Sequence, residues 1–311
     1  MNTYHYRYLY QNTDRGTIHT ASAELKKNGF CLCYMCSDGR PLRERGAAEE
    51  RFKNFGERIS VLVLEKLHEE DMQEAARILR EHQVERVFLP YGDKAEDMPE
   101  LMLADRIHVM KAGEEISFCE KGWQVWLKCM PEETQGTLVL YHGPSEETKE
   151  NQDCIMTAKP FHKELPCQVC VEEGDRCGMR CSLYNDYTLC KGHNARDVDG
   201  YVTGALLLGN VDLNQYGCEL QENLMQYRED IRMVTLPGQG MKEKNSELFL
   251  DYLNEVNDNL NRYYVLPEGT YDNEKVLKDV LKKGPRQVTV LTTADKGFCM
   301  SGFFTDKQYI S

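Results

Sequence analysis

The chain has 311 residues, 41% of them hydrophobic and 29% charged, which is globular composition with enough length for a sizeable core. No run approaches the roughly eighteen apolar residues of a membrane helix, and no charged start followed by an apolar run marks a signal peptide, so the cytosol is the expected compartment. A net charge of −13 argues against a broad nucleic-acid surface, because phosphate is bound by Lys and Arg.

The order of elements becomes legible from residue 59. Residues 59–64, Ile-Ser-Val-Leu-Val-Leu, form an apolar run of strand length, as expected of a strand covered on both faces. Met72, Ala75, Ala76, Ile78 and Leu79 then recur at helical spacing within residues 69–82, and residues 86–89 return as a strand closed by Pro90. Strand, helix, strand is the unit of an α/β layer. Residues 107–110, 116–119, 123–127 and 137–140 are short, β-rich and separated by turns, and are expected to form one antiparallel set. Residues 143–174 are polar and contain Pro, so an irregular insertion is expected there. Further on, residues 205–208 are a buried strand, Leu220, Leu224 and Tyr227 mark a helix, and residues 233–236 are a strand. A helix with Leu248, Phe249, Tyr252, Leu253, Val256 and Leu260 on one face follows, with Asn245 or Ser246 as its N-cap. Residues 263–266 are a strand, 276–281 a helix, and 288–291 a strand with a hairpin partner near residues 298–304. Mixed sheets flanked by helices fit one sandwich better than two domains.

Thirteen cysteines without an export signal read as free thiols or metal ligands rather than a disulfide framework. Cys31, Cys119, Cys129, Cys154, Cys190, Cys218 and Cys299 read singly as small hydrophobes, and Cys31, Cys33 and Cys36 suit a core strand. Cys167, Cys170, Cys177 and Cys181, with Cys190 and His193 nearby, form the sharpest metal-like cluster, since four thiolates can close a tetrahedral zinc site. Against zinc, the second pair has one residue too many between its members and runs into a strand-like stretch, 181–184, whose side chains would alternate faces. Unlinked thiols are the leading view, and one structural zinc is the alternative. No nucleophile elbow and no phosphate-binding glycine loop is present.

Three stretches taken in order resemble the metallo-β-lactamase superfamily, most closely its standalone members similar to the domain of ComEC-type DNA-uptake proteins. Residues 61–72 run from a strand end into a helix where that family has His-x-His-x-Asp-His. Residues 206–211, Leu-Leu-Leu-Gly-Asn-Val, resemble its strand ending in Gly-Asp. Residues 235–240, with Asn245 beyond, are similar to its Pro-His-His-Gly segment. Pro267-Glu268-Gly269 with Asn273 resembles a turn near the C-terminus of the subgroup. The resemblance spans residues 55–305 and implies a single domain over 1–311, a four-layer αββα sandwich of two mixed sheets, with residues 1–54 poorly matched and a Cys-rich insertion at 143–195.

The resemblance also implies two metal ions, held by imidazoles and bridged by a carboxylate. At those positions stand Lys66, His68, Glu70 and Asp71, then Asn210, then Gly238 and Gln239. Only His68 keeps an imidazole, and Lys66 brings an ammonium where a cation would be repelled. No metal is expected at the family site, which becomes a vestigial pocket of Lys66, His68, Glu70, Asp71, Asn210, Asp212, Gly238 and Gln239. His68-Glu69-Glu70-Asp71 then reads as an acidic helix start. An alternative is a rewired Mg²⁺ or Mn²⁺ site of His68, Glu70, Asp71 and Asp212, with His142. The expected function is binding without catalysis, as a scaffold, a partner subunit or a small-ligand sensor. A protein partner or a homo-oligomer is expected, and no membrane. The alternatives are a metal-dependent hydrolase of phosphodiester or nucleic-acid substrates, and a zinc-stapled interaction module.

Overall fold

The computed structural model describes residues 4–12, 16–24, 30–37, 58–66, 72–92, 98–160, 204–240, 243–255, 262–266, 288–292 and 298–306. The strands are β1 (Tyr4–Asn12), β2 (Gly16–Glu24), β3 (Phe30–Ser37), β4 (Arg58–Ile59), β5 (Val61–Leu64), β6 (Gln83–Val84), β7 (Arg86–Pro90), β8 (Arg106–Met110) and β9 (Glu115–Glu120). They continue with β10 (Trp123–Met130), β11 (Thr137–Pro144), β12 (Gln152–Pro160), β13 (Gly204–Leu207), β14 (Ile231–Thr235), β15 (Arg262–Leu266), β16 (Val288–Thr292) and β17 (Phe298–Asp306). The helices are α1 (Met72–Glu81), α2 (Glu146–Asn151), α3 (Leu213–Leu224) and α4 (Glu247–Asn254).

Two large sheets result. The first has eight strands in the order β12-β17-β1-β2-β3-β5-β7-β8, and the second seven, β16-β15-β14-β13-β11-β10-β9. Both are mixed: β3, β5, β7 and β8 run parallel, as do β13 to β16, and the remaining neighbours are antiparallel. β4 and β6 add a two-stranded parallel pair.

Strand alternation sorts the apolar side chains into layers. Along β5, Val61 and Val63 point between the sheets while Leu62 and Leu64 point to the other face. The inter-sheet core joins Val61 and Val63 to Leu32, Phe88, Trp123, Leu127, Leu140 and Leu207. On the far side of the first sheet, Leu62 and Leu64 meet Ala75, Ile78 and Leu79 of α1. On the far side of the second, Trp126, Val139, Leu206 and Val234 meet Leu220 of α3 and Phe249 and Leu253 of α4. Helix, sheet, sheet, helix is the αββα sandwich expected from the sequence.

Several local expectations are corrected. β8 does not join the antiparallel set of β9, β10 and β11; it extends the first sheet parallel to β7, Val87 opposite Ile107. Its period-2 pattern marks a strand but carries no information about its neighbour. Residues 143–160 are not an irregular insertion. β11 runs to Pro144, α2 follows, and β12 pairs along its length with β17. Nor is β17 a hairpin partner of β16: it lies between β12 and β1 in the other sheet. The poorly matched start completes the first sheet, with Cys31 and Cys33 buried in β3 as expected. The cap of α4 is Ser246, whose hydroxyl accepts from the Phe249 N–H, while Asn245 is buried beside it. The helix expected at 276–281 and the turn at Pro267-Glu268-Gly269 with Asn273 lie outside the described residues.

Candidate functional site

At one end of the sandwich, chain segments from both sheets meet. β5 continues past Leu64 into Glu65-Lys66, β13 past Leu207 into Leu208-Gly209-Asn210, and β14 past Thr235 into Leu236-Pro237-Gly238. β10 ends beside them in Pro131-Glu132, and β11 begins there at Thr137. Carboxyl ends of parallel strands are where an α/β sheet offers its loops to a ligand.

Glu65 lies at the centre, fully buried. Its Oε1 accepts from the Asn210 N–H at 3.1 Å, bridging the two sheets. Its backbone is pinned on both sides, N–H to the Met35 carbonyl at 2.9 Å and carbonyl from the Leu138 N–H at 3.3 Å. The Tyr34 hydroxyl donates to the Leu138 carbonyl at 3.0 Å. Gly209 permits this approach. Its φ is +56°, and a Cβ there would lie 2.6 Å from Glu65 Cγ and 2.7 Å from the Tyr34 hydroxyl. Glu65 Oε2 is buried and meets no donor at hydrogen-bond distance among the described residues, although the nearby Cys36 thiol favours the ionised form. Burial pushes the carboxyl from its ordinary 4.5 to about 7, against the opposing pull of the Asn210 N–H, Lys66 and Cys36.

The surrounding charges are paired within the chain. Lys66 Nζ donates to Glu132 Oε2 at 2.9 Å, and the Thr137 hydroxyl donates to Glu132 Oε1 at 2.7 Å. The Tyr91 hydroxyl holds the Glu132 backbone, donating to its carbonyl at 2.9 Å and accepting from its N–H at 3.0 Å. Burial alone would raise the Glu132 carboxyl, but the bonds from Lys66 and Thr137 hold it below the ordinary range. Lys244 Nζ donates to the Asn210 carbonyl at 2.8 Å. The stem of Lys244 packs against Gly238, where φ is +57° and a Cβ would sit 3.2 Å from Lys244 Cδ. Tyr216 donates to the Pro131 carbonyl, and burial together with the Glu132 charge pushes its phenol up.

Of the residues singled out in the sequence, Lys66, Asn210 and Gly238 come together here. Asp212 stands just beyond and caps α3, its Oδ1 accepting from the Asn214 N–H at 2.9 Å. Asn245 donates to the Pro237 carbonyl at 2.9 Å and so holds the 3₁₀ turn Pro237–Gly240, in which Gln239 lies. His142 does not join them. It is four residues along β11 from Leu138, about 13 Å at the rise of a strand, fully buried, with its Nδ1 accepting from Trp123 Nε1 at 3.3 Å. His68, Glu70, Asp71, Cys167, Cys170, Cys177 and Cys181 lie outside the described residues. Glu65, Glu132 and Lys244 escaped the sequence reading. A charged residue closing the apolar run of β5 is the signal that could have marked Glu65; Glu132 and Lys244 sit in polar turns with no comparable contrast.

A dinuclear metal centre needs imidazoles and a bridging carboxylate. The described residues here supply two ammoniums, a neutral amide, a glycine, the Glu132 carboxylate already paired with Lys66, and the Glu65 carboxyl whose ionisation burial opposes. Among the described residues no three His, Cys, Asp or Glu side chains gather closely enough to hold a metal ion. These residues do not fit such a centre.

No protein-family model and no curated protein matches the sequence. Among solved structures, the chain is similar to the metallo-beta-lactamase fold protein YhfI from Bacillus subtilis, with 9% identity, 97% of this chain and 100% of that one covered, and a TM-score of 0.48. It is also similar to the metallo-beta-lactamase SMB-1, with 9% identity, 72% and 78% covered, and a TM-score of 0.32. A diphosphatase from the PhnP family is similar at 8% identity, with 93% and 87% covered and a TM-score of 0.34. All three scores lie below 0.5.

Proposed function

We propose that the chain works by binding, as a scaffold for a protein partner or a sensor of a small polar ligand at the strand-end site, and not by metal-dependent hydrolysis. One observation carries this reading: the polar groups that meet at the strand ends are engaged by the chain's own residues. Lys66 neutralises Glu132, Lys244 holds the Asn210 carbonyl, and the Asn210 N–H meets Glu65. A divalent cation would have to displace or face two ammoniums, which Coulomb repulsion opposes. The competing hydrolase, acting on phosphodiesters or nucleic acids, requires His68, Glu70, Asp71 and Asp212 to converge, and Asp212 is engaged in capping α3. A fold that hosts hydrolysis does not confer it; the site decides.

Metal content per chain, measured by plasma mass spectrometry on protein purified without a histidine tag or chelator, tests this. Close to zero is expected at the strand-end site. One zinc that leaves on thiol alkylation would belong to the cysteine cluster and leave the proposal standing. One or two equivalents of zinc, manganese or magnesium that survive alkylation and fall in Asp71→Ala would overturn it in favour of the hydrolase.

A further inference from the structure

Six large apolar side chains are exposed among the described residues, and four of them, Met102, Leu103, Ile107 and Val109, fall in one stretch. Ile107 and Val109 belong to β8, the outermost strand of the first sheet at that edge. Four of the five residues of β8 are exposed, and only Met110 is buried. An outer strand with apolar side chains and a free backbone edge is a template for another strand, and proteins ordinarily blunt such edges. Among the described residues no further strand covers this edge and no proline or bulge blunts it; Arg106 is the one charged side chain within the strand.

The charges around β8 select what pairs with it. Residues 105–111 read Asp-Arg-Ile-His-Val-Met-Lys, with Asp105 and Lys111 both exposed. On an antiparallel second copy, with a twofold axis through His108, Ile107 faces Val109 and Asp105 faces Lys111, each pair occurring twice. Opposite charges and β-branched side chains directly across an antiparallel ladder each contribute about 0.2–1 kcal/mol. Moving the axis to Ile107 sets Arg106 against His108 and Asp105 against Val109. Moving it to Val109 sets Ile107 against Lys111. The His108 register also sets Arg106 against the buried Met110, twice, but of the three it alone matches both Ile107 with Val109 and Asp105 with Lys111. At that axis each His108 ring is held by its own chain, Nε2 to Glu114 Oε1 at 2.9 Å and against the Phe88 ring at 5.8 Å.

We infer that the free edge of β8 is a homodimer interface, in which two copies join antiparallel about His108 and their eight-stranded sheets become one. The partner is a second copy because the strand is complementary to itself in one register.

Sedimentation equilibrium of the full chain over a concentration series reads this directly. The expected mass rises from 36.0 kDa toward twice that value as concentration rises. Val109→Lys, at an exposed position, should keep its circular dichroism and remain a monomer. Asp105→Lys and Lys111→Asp should each weaken association by at least about tenfold, since like charges then face each other twice. The double variant should recover it. A single 36.0 kDa species at every concentration overturns the inference and leaves the edge to a strand of a different polypeptide. A dimer indifferent to Val109→Lys, or a double variant no better than the single ones, overturns it as well.

Discussion

Two titratable side chains, each fully buried, lie toward opposite ends of β11 in opposite company: His142 within the strand, and Glu65 beyond β5, bonded through its carbonyl to Leu138. Near Pro144, His142 packs against Trp123 with ring centroids 6.2 Å apart and accepts its indole N–H. Burial, the sole cause of its shift, brings its pKa from 6.5 to about 3. Near Thr137, Glu65 is equally buried, yet an N–H from the other sheet, a lysine and a thiol all act on it. Burial makes both groups resist charge, as it must in a medium of low dielectric. What distinguishes a site from a core position is the second feature, segments distant in sequence that converge on the buried group. For His142, burial alone accounts for the shift.

The largest expected effect is on the His142 side. The unfolded chain takes up the proton near pH 6.5 and the folded chain only near 3. Its contribution to stability is therefore complete above 6.5 and drains as pH falls toward 3, by up to about 5 kcal/mol. His142→Gln keeps an acceptor within reach of Trp123 and should flatten that acid limb, as read by urea unfolding between pH 7 and pH 4.

Glu65 should slope the other way. Its folded pKa lies above the unfolded one, so its contribution is complete below 4.5 and is lost as pH rises through about 7, roughly 3 kcal/mol in all. Glu65→Gln retains an oxygen for the Asn210 N–H and should remove the decline between pH 5 and pH 8. Were both variants to leave the pH profile unaltered, the contrast between the two ends would fail.

Asp212 gives the smallest effect and sharpens the boundary of the site. As the cap of α3 it should cost about 1 kcal/mol when replaced by Ala, measured by thermal or urea unfolding. Metal content should not change. A loss of bound metal in Asp212→Ala would place it among the ligands.

How much of this could be read from the sequence follows from the range of each interaction. β5, β7, β13 and β14 are short apolar runs covered on both faces, and α1 repeats at 3.6, so local pattern revealed them. Sheet partners are a different matter. β8 and β17 carry a strand's pattern, but nothing in that pattern says which neighbour each will take, and both were expected in the wrong sheet. β12 was hidden because its apolar run, Cys154-Ile155-Met156, is short and lies among polar residues. In the site, Lys66, Asn210 and Gly238 were legible through motif positions. Their partners were not, since Glu132 lies 66 residues from Lys66 and Glu65 lies 145 from Asn210. Only folding brings those pairs together.

The most direct test of the strand-end site is the titration of Glu65 itself, following its side-chain carboxyl carbon by NMR in the wild type and in Lys66→Met. The account predicts a midpoint near 7 that rises when the Lys66 charge is removed, because that ammonium favours the ionised carboxylate. A midpoint near 4.5 that ignores Lys66 would contradict it, and would mean that the buried carboxyl and the chain's own cation do not form one site.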